Sequence, residues 1–322
     1  MTEPSNPPDT GPGVQHGNPR NTTDPEAAGV PWVNPEIQGQ VKWRDGDIVV
    51  SVPMKSGTTW AMNIVHQLRA GGDPNFNDVY QEVPWLELVP GPTVTPGEIM
   101  ETIDSMTRDR RRAFKTHSAP GILPYQAAGS GVQVQYIVVM RNPDEVLASI
   151  YPFIRAHRAD WFSFWGMDKE TFLPPDFQAC FDAIGKTMLP PALFGFLAAW
   201  WPLRRESNVL LLHFADMKRD HEGSVRRIAE FLGFTPTAGQ WPAILEYTSF
   251  PWMKRHEDKF EVRLAAQMPI LDPGAMVRKG KIGAAQEDGV TPGMSAELRT
   301  IGKEFLNDQE ALDWLYSGGP LP

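Results

Sequence analysis

Cysteine is almost missing from this chain. Cys180 stands alone among 322 residues, so no disulfide can form within it, and the sequence points to a reducing, cytoplasmic setting. Long apolar runs are missing as well. None approaches the ~20 residues of a membrane-spanning helix, and the nearest, Pro190 to Trp201, reads as a buried helix or a pocket wall. No basic stretch followed by an apolar one opens the chain, so no secretory signal is expected. Positive charge is in deficit. With 30 Lys and Arg against 39 Asp and Glu, the net charge of −9 argues against a nucleic-acid partner. The histidines show no metal-ligand spacing, and no metal is expected.

What is present is material for a large core: 41% hydrophobic and 21% charged residues fit an α/β domain. Residues 1–38 are rich in Pro, Gly, Asn, Thr and Asp and read as a flexible arm, with Val30-Pro31-Trp32-Val33 its one apolar patch. Residues 39–322 read as a single domain. Short apolar strands are expected at Ile48–Val52, Arg112–His117, Val134–Met140 and Asn208–His213, each followed by helical spacing. That alternation predicts a central, mostly parallel sheet flanked by helices. Arg108 to Arg112 reads as a solvated basic turn, and Phe250 to Val290 as a loop. Residues 155–190, dense in Trp and Phe, read as an insertion or lid.

The first strand leads through Pro53 into Lys55-Ser56-Gly57-Thr58-Thr59-Trp60, which opens a helix. Free N–H groups, the positive end of the helix dipole, a lysine and three hydroxyls converge there, which makes a phosphate site of the strand-loop-helix kind. The lysine precedes the glycine, so the Walker A spacing is not met. Three further groups lie where the carboxyl ends of parallel strands gather. Lys115 and His117 alternate along a strand and can face one reacting centre. Arg141, at a strand-to-helix corner with Ser149 two turns on, offers a fork for phosphate oxygens. Thr248-Ser249-Phe250 and Arg278-Lys279-Gly280 supply a ring for a purine and a basic loop for phosphates.

These strings together, P-x-K-S-G-T-T-W, K-T-H, R-N-P-x-[DE]-x-x-x-S, T-S-F and R-K-G, resemble the cytosolic-type sulfotransferases, which use 3′-phosphoadenosine 5′-phosphosulfate (PAPS). The resemblance implies sulfuryl transfer from PAPS to the hydroxyl of a small acceptor, an alcohol or phenol, with a lipid or glycolipid also open. It implies His117 as the base, with Lys55 and Lys115 neutralising charge on the transferring group. The loop Ser56–Thr59 would hold the 5′-phosphate. Trp60, Phe214, Thr248 and Phe250 would surround the adenine. Arg141, Ser149, Arg278, Lys279 and Gly280 would take the 3′-phosphate. Val83-Pro84-Trp85-Leu86-Glu87 resembles a segment lining the acceptor pocket, and the aromatic stretch 161–201 suggests an apolar cavity or lid for the acceptor.

The chain departs from the family in four places, one of them Met54, which stands between the proline and the lysine of the loop where many members have tyrosine-proline-lysine. Phe214 replaces a tyrosine, Gly283-Ala284-Ala285 replaces Gly-Asp-Trp, and the C-terminal dimer signature has no clear match, so the oligomeric state stays open. Two rivals use the same strand-loop-helix: a nucleotide kinase, and a nucleotide-binding protein without catalysis.

Overall fold

The computed structural model describes residues 30–107, 110–263 and 268–322. Four strands, β1 (Ile48–Ser51), β2 (Ala113–Thr116), β3 (Gln135–Met140) and β4 (Val209–His213), pair in the order β2-β1-β3-β4. Every pairing is parallel, and Val50 lies level with both Lys115 and Ile137. Such strands are covered on both faces, which is why their sequences run apolar without a polar alternation.

Period-two alternation instead sorts residues between two cores. Val49, Phe114, Tyr136, Val138 and Leu211 join one; Ile48, Val50, Ile137, Val139 and Leu212 join the other. Helices α1 (Thr58–Ala70) and α3 (His221–Leu232) cover the second face through Ala61, Ile64, Val65, Val225 and Ile228. Helices α2 (Pro143–Arg155), α4 (Pro292–Leu306) and α5 (Gln309–Ser317) cover the first through Val146, Ile150, Leu298 and Leu312. The α2 start is specified locally. Asn142 accepts the Asp144 N–H, Pro143 needs no partner for its nitrogen, and Asp144 and Glu145 face the positive helix end.

Several expectations need correction. Within the expected arm, residues 30–38 are packed against the domain. Trp32 and Val33 are buried, Ile37 fully so, and backbone hydrogen bonds Asn34 to Glu87 (2.8 Å) and Val89 to Trp32 (2.9 Å) tie the stretch down. Residues 1–29 lie outside the described residues. Nor is the basic turn solvated at Arg111 and Arg112. Arg112 forms a two-pronged pair with Asp47 at 2.9 and 2.5 Å, with the two side chains 2% and 1% exposed. Arg111 caps the same sheet edge through the Gly46 carbonyl and Gln135. Within the expected loop 250–290, Phe250–Arg255 is a short helix, begun by Ser249 accepting the Trp252 N–H and by Pro251 in its first turn.

The aromatic stretch divides: Trp161, Phe162, Phe181, Phe194, Phe196 and Trp200 are core, while Phe164 and Phe172 are exposed. Trp161 and Phe162 pack against Trp32 at ring distances of 5.1 and 6.1 Å. Trp200 is fully buried beside Tyr136, its indole N–H donating to Ser51. Pro190 to Trp201 is helical and buried, the first of its two expected forms.

Candidate active site

The carboxyl ends of β1, β2 and β3 open into one cavity. After β1 the chain turns through Lys55 at φ 63° and Gly57 at φ 104°, then enters α1. Left-handed backbone costs a non-glycine residue roughly 1–2 kcal/mol, so Lys55 is held there by its surroundings. Its Nζ lies 3.8 Å from the centre of the Phe153 ring. Gly57 is required twice over. Its φ suits glycine, and a Cβ would come within 2.7 Å of the Phe214 ring. No side chain caps α1, and the buried hydroxyls of Ser56 and Thr58 have no hydrogen-bond partner among the described residues. An uncapped helix start with an unsatisfied hydroxyl beside it suits an anion.

Lys115 and His117 enter from β2. Segment 84–87 locks against them, with Lys115 bonded through its backbone to Pro84 (2.8 Å) and Leu86 (2.9 Å). Trp85 thereby meets the Lys115 ammonium, 3.0 Å from ring centre to Nζ, and packs edge-on to His117. The fully buried Glu87 accepts from the His117 backbone N–H at 2.7 Å and from the Thr116 hydroxyl at 2.9 Å. Burial pushes the Glu87 pKa up, against the pull of Lys115. His117 Nδ1 sits 2.6 Å from the Val52 carbonyl. A carbonyl only accepts, so Nδ1 carries the proton and Nε2 is the basic nitrogen. Burial, reinforced by Lys115, holds the imidazole pKa well below its ordinary value, and the ring is neutral at pH 7.

Arg141 anchors the other end. Its guanidinium bonds Glu145 (2.9 Å), the Lys55 carbonyl (3.1 Å) and the Lys281 carbonyl (3.4 Å), and it lies 4.6 Å over Phe214. Ser149, Arg278, Lys279 and Gly280 line the same end. Gly280 has φ 58°, and a Cβ there would come within 2.5 Å of the Phe250 ring. Between the ends stand three rings. Trp60 meets Phe214 edge-on at 5.6 Å, and Lys218 reaches Phe250 at 5.2 Å and Trp60 at 5.9 Å.

Of the residues given catalytic or PAPS-binding roles from the sequence, all but Ser56 and Thr248 line this cavity. Ser56 lies behind the loop. Thr248 stands one layer back: its hydroxyl donates to Ile244 and meets His221, while its carbonyl accepts the Trp60 indole N–H at 2.8 Å. Thr248 therefore fixes the Trp60 ring without reaching the cavity.

The acceptor-side expectation for 161–201 fails, because no residue of that stretch lines the cavity. Its apolar wall comes instead from Tyr80, Trp85, Phe153, Met253, Val262 and Met276. Only Trp85 had a sequence signal, the resemblance of its segment; the others reach the wall from elements far apart in the chain. Among the described residues no cluster of His, Cys, Asp or Glu is placed to hold a metal ion, and no helix is long and apolar enough to cross a membrane.

Comparison with known proteins agrees with this geometry. A sulfotransferase domain matches residues 45–310. Human sulfotransferase 2A1 is 28% identical over 252 residues, covering 77% of this chain and 80% of that protein. Mouse sulfotransferase 1A1 is 28% identical over 256 residues, with the same 77% and 80% coverage. The fold is shared with two solved structures. Retinol dehydratase, in complex with androsterone and the inactive cofactor PAP, gives a TM-score of 0.64 at 20% identity over 84% of this chain and 83% of that one. Mouse sulfotransferase SULT7A1 complexed with PAP gives 0.63 at 19% identity over 88% and 93%. The matched domain takes in the whole sheet and every wall of the cavity, and the chain belongs to the PAPS-dependent sulfotransferase family.

Proposed function

We propose that this enzyme moves a sulfuryl group from PAPS to the hydroxyl of a small apolar alcohol or phenol, with His117 as the base. The observation that carries the reading is one cavity with a neutral, tautomer-fixed histidine at one end and a cluster of cations at the other. PAPS fits the donor set: the uncapped α1 start and the Thr58 hydroxyl, which has no partner among the described residues, face the cavity and suit an anion. Bound there, PAPS supplies an activated sulfuryl group. Backbone N–H groups of Ser56–Thr59 take the 5′-phosphate. Trp60, Phe214 and Phe250 flank the adenine, with Thr248 steadying Trp60, and Arg141, Ser149, Arg278, Lys279 and Gly280 take the 3′-phosphate.

His117 Nε2 accepts the proton of the acceptor hydroxyl, and the Val52 carbonyl keeps the ring oriented as it does so. Lys55 and Lys115 hold positive charge beside the transferring oxygens, where low dielectric makes each worth more than in water. Both ammoniums lie over aromatic rings, Phe153 and Trp85, which favours the charged form inside the cavity. Tyr80, Trp85, Phe153, Met253 and Met276 give the acceptor a dry, apolar wall and favour a compact ring or chain over a charged sugar. A cytoplasmic location is part of this reading and is supported by the single, buried cysteine.

The test is incubation of the purified protein with PAPS and a panel of alcohols and phenols, read by mass spectrometry. Acceptor-dependent sulfated product and PAP are expected. Turnover with ATP and Mg²⁺ but none with PAPS would overturn the proposal.

A further inference from the structure

We propose that Asp288 competes with the 3′-phosphate for Arg278 and Lys279, and thereby sets how tightly and selectively the bisphosphate is held. The inference rests on PAPS being the donor. Arg278 donates to the Asp288 carboxylate at 3.1 Å, and Lys279 pairs with the same group. This carboxylate is a wall of the cavity, not a rim charge: its side chain is only 13% exposed. Its backbone is fixed by a turn, with the Asp288 N–H shared between the carbonyls of Ala284 and Ala285, both at 3.2 Å. That turn is itself pinned where the Gly283 N–H donates to Glu145, the partner of Arg141.

Charge balance governs entry to the clamp. Arg141, Arg278 and Lys279 against Glu145 and Asp288 leave it one positive charge in excess. A phosphate of about −2 overshoots that balance while Asp288 keeps its place, and would meet neutrality if the carboxylate were an amide. An entering phosphate must therefore draw Arg278 and Lys279 away from Asp288. Inorganic phosphate has no other contacts with which to offset this cost. A nucleotide does, through the rings of Trp60 and Phe250. Asp288 thus screens the clamp against small anions and loosens the hold on bisphosphate product.

The test is calorimetric titration of the full chain and its Asp288→Asn variant with adenosine 3′,5′-bisphosphate and with adenosine 5′-monophosphate. The variant is expected to bind the bisphosphate about tenfold more tightly, roughly 1.4 kcal/mol, with monophosphate affinity held within about twofold. Inorganic phosphate should compete more strongly against the variant. Unchanged or weakened bisphosphate binding in Asp288→Asn, alongside a wild-type preference for the bisphosphate, overturns this inference alone. A wild-type chain that binds both nucleotides equally overturns the donor assignment together with it. Should Asp288→Asn fail to fold, Asp288→Ser is titrated to the same criteria.

Discussion

His117 owes its chemistry to three neighbours: a carbonyl that fixes its tautomer, a lysine that repels its proton, and a wall that excludes water. His117→Ala should lower kcat by roughly 10²–10⁴-fold and leave PAP affinity intact, as kinetics and calorimetry on one preparation can check. The sign of the pH dependence comes from the depressed pKa. The neutral ring persists as pH falls through the ordinary histidine range, so the acid limb of kcat/KM should lie below 6.5, where an unperturbed histidine would put it. Gly57→Ala combines a strained φ with a methyl driven into Phe214, and should weaken PAP binding at least tenfold. Lys55, Gly57, Lys115 and His117 were legible in the sequence because each belongs to a short string whose chemistry is local. Phe153, Met276 and Asp288 were not, since their place depends on segments that meet only in three dimensions.

The four strands were legible as elements, because burial on both faces imposes a continuous apolar run that few other contexts require. The short helix Phe250–Arg255 was hidden: at six residues it shows less than two turns of periodicity. Arg112 misled for another reason. Its string of arginines reads as surface, yet its partner Asp47 stands 65 positions earlier, at the entrance to β1. Replacing Asp47 by Ala would remove the two-pronged partner of that buried guanidinium and leave it the longer pair with Asp104 (3.9 Å) and the Lys42 carbonyl, at a cost of about 3 kcal/mol. A urea melt should show the midpoint falling accordingly, whereas Arg112→Met in the Asp47→Ala background should recover part of the loss.

Across the whole molecule, His157 contributes stability that is lost in mild acid, while Asp78, whose pKa burial raises to about 6, works in the opposite direction. His157 sits at the end of α2 with Nδ1 near the Phe153 carbonyl, and burial pushes its pKa down to about 4. Below pH 6.5 the unfolded chain takes a proton that the native one refuses, so stability contributed by the neutral ring is lost as pH falls and levels off near 4. The loss from His157 comes to roughly 3 kcal/mol, and His117 adds in the same direction. Thermal melts at pH 7 and 5 should show His157→Gln losing less stability on acidification than the parent chain.

The division between the aromatic core and the cavity wall has a consequence for how this enzyme can change. The buried aromatics of 161–201 belong to the core, while the wall combines half-buried positions such as Tyr80, Phe153, Ala275 and Met276 with the core residues Trp85, Met253 and Val262. Acceptor preference can thus be altered at the half-buried wall positions, whereas Trp85, Met253 and Val262 serve wall and core at once. Substitutions at the half-buried positions can accumulate with little loss of thermal tolerance, and a lineage can explore new hydroxyl compounds without first acquiring a sturdier scaffold.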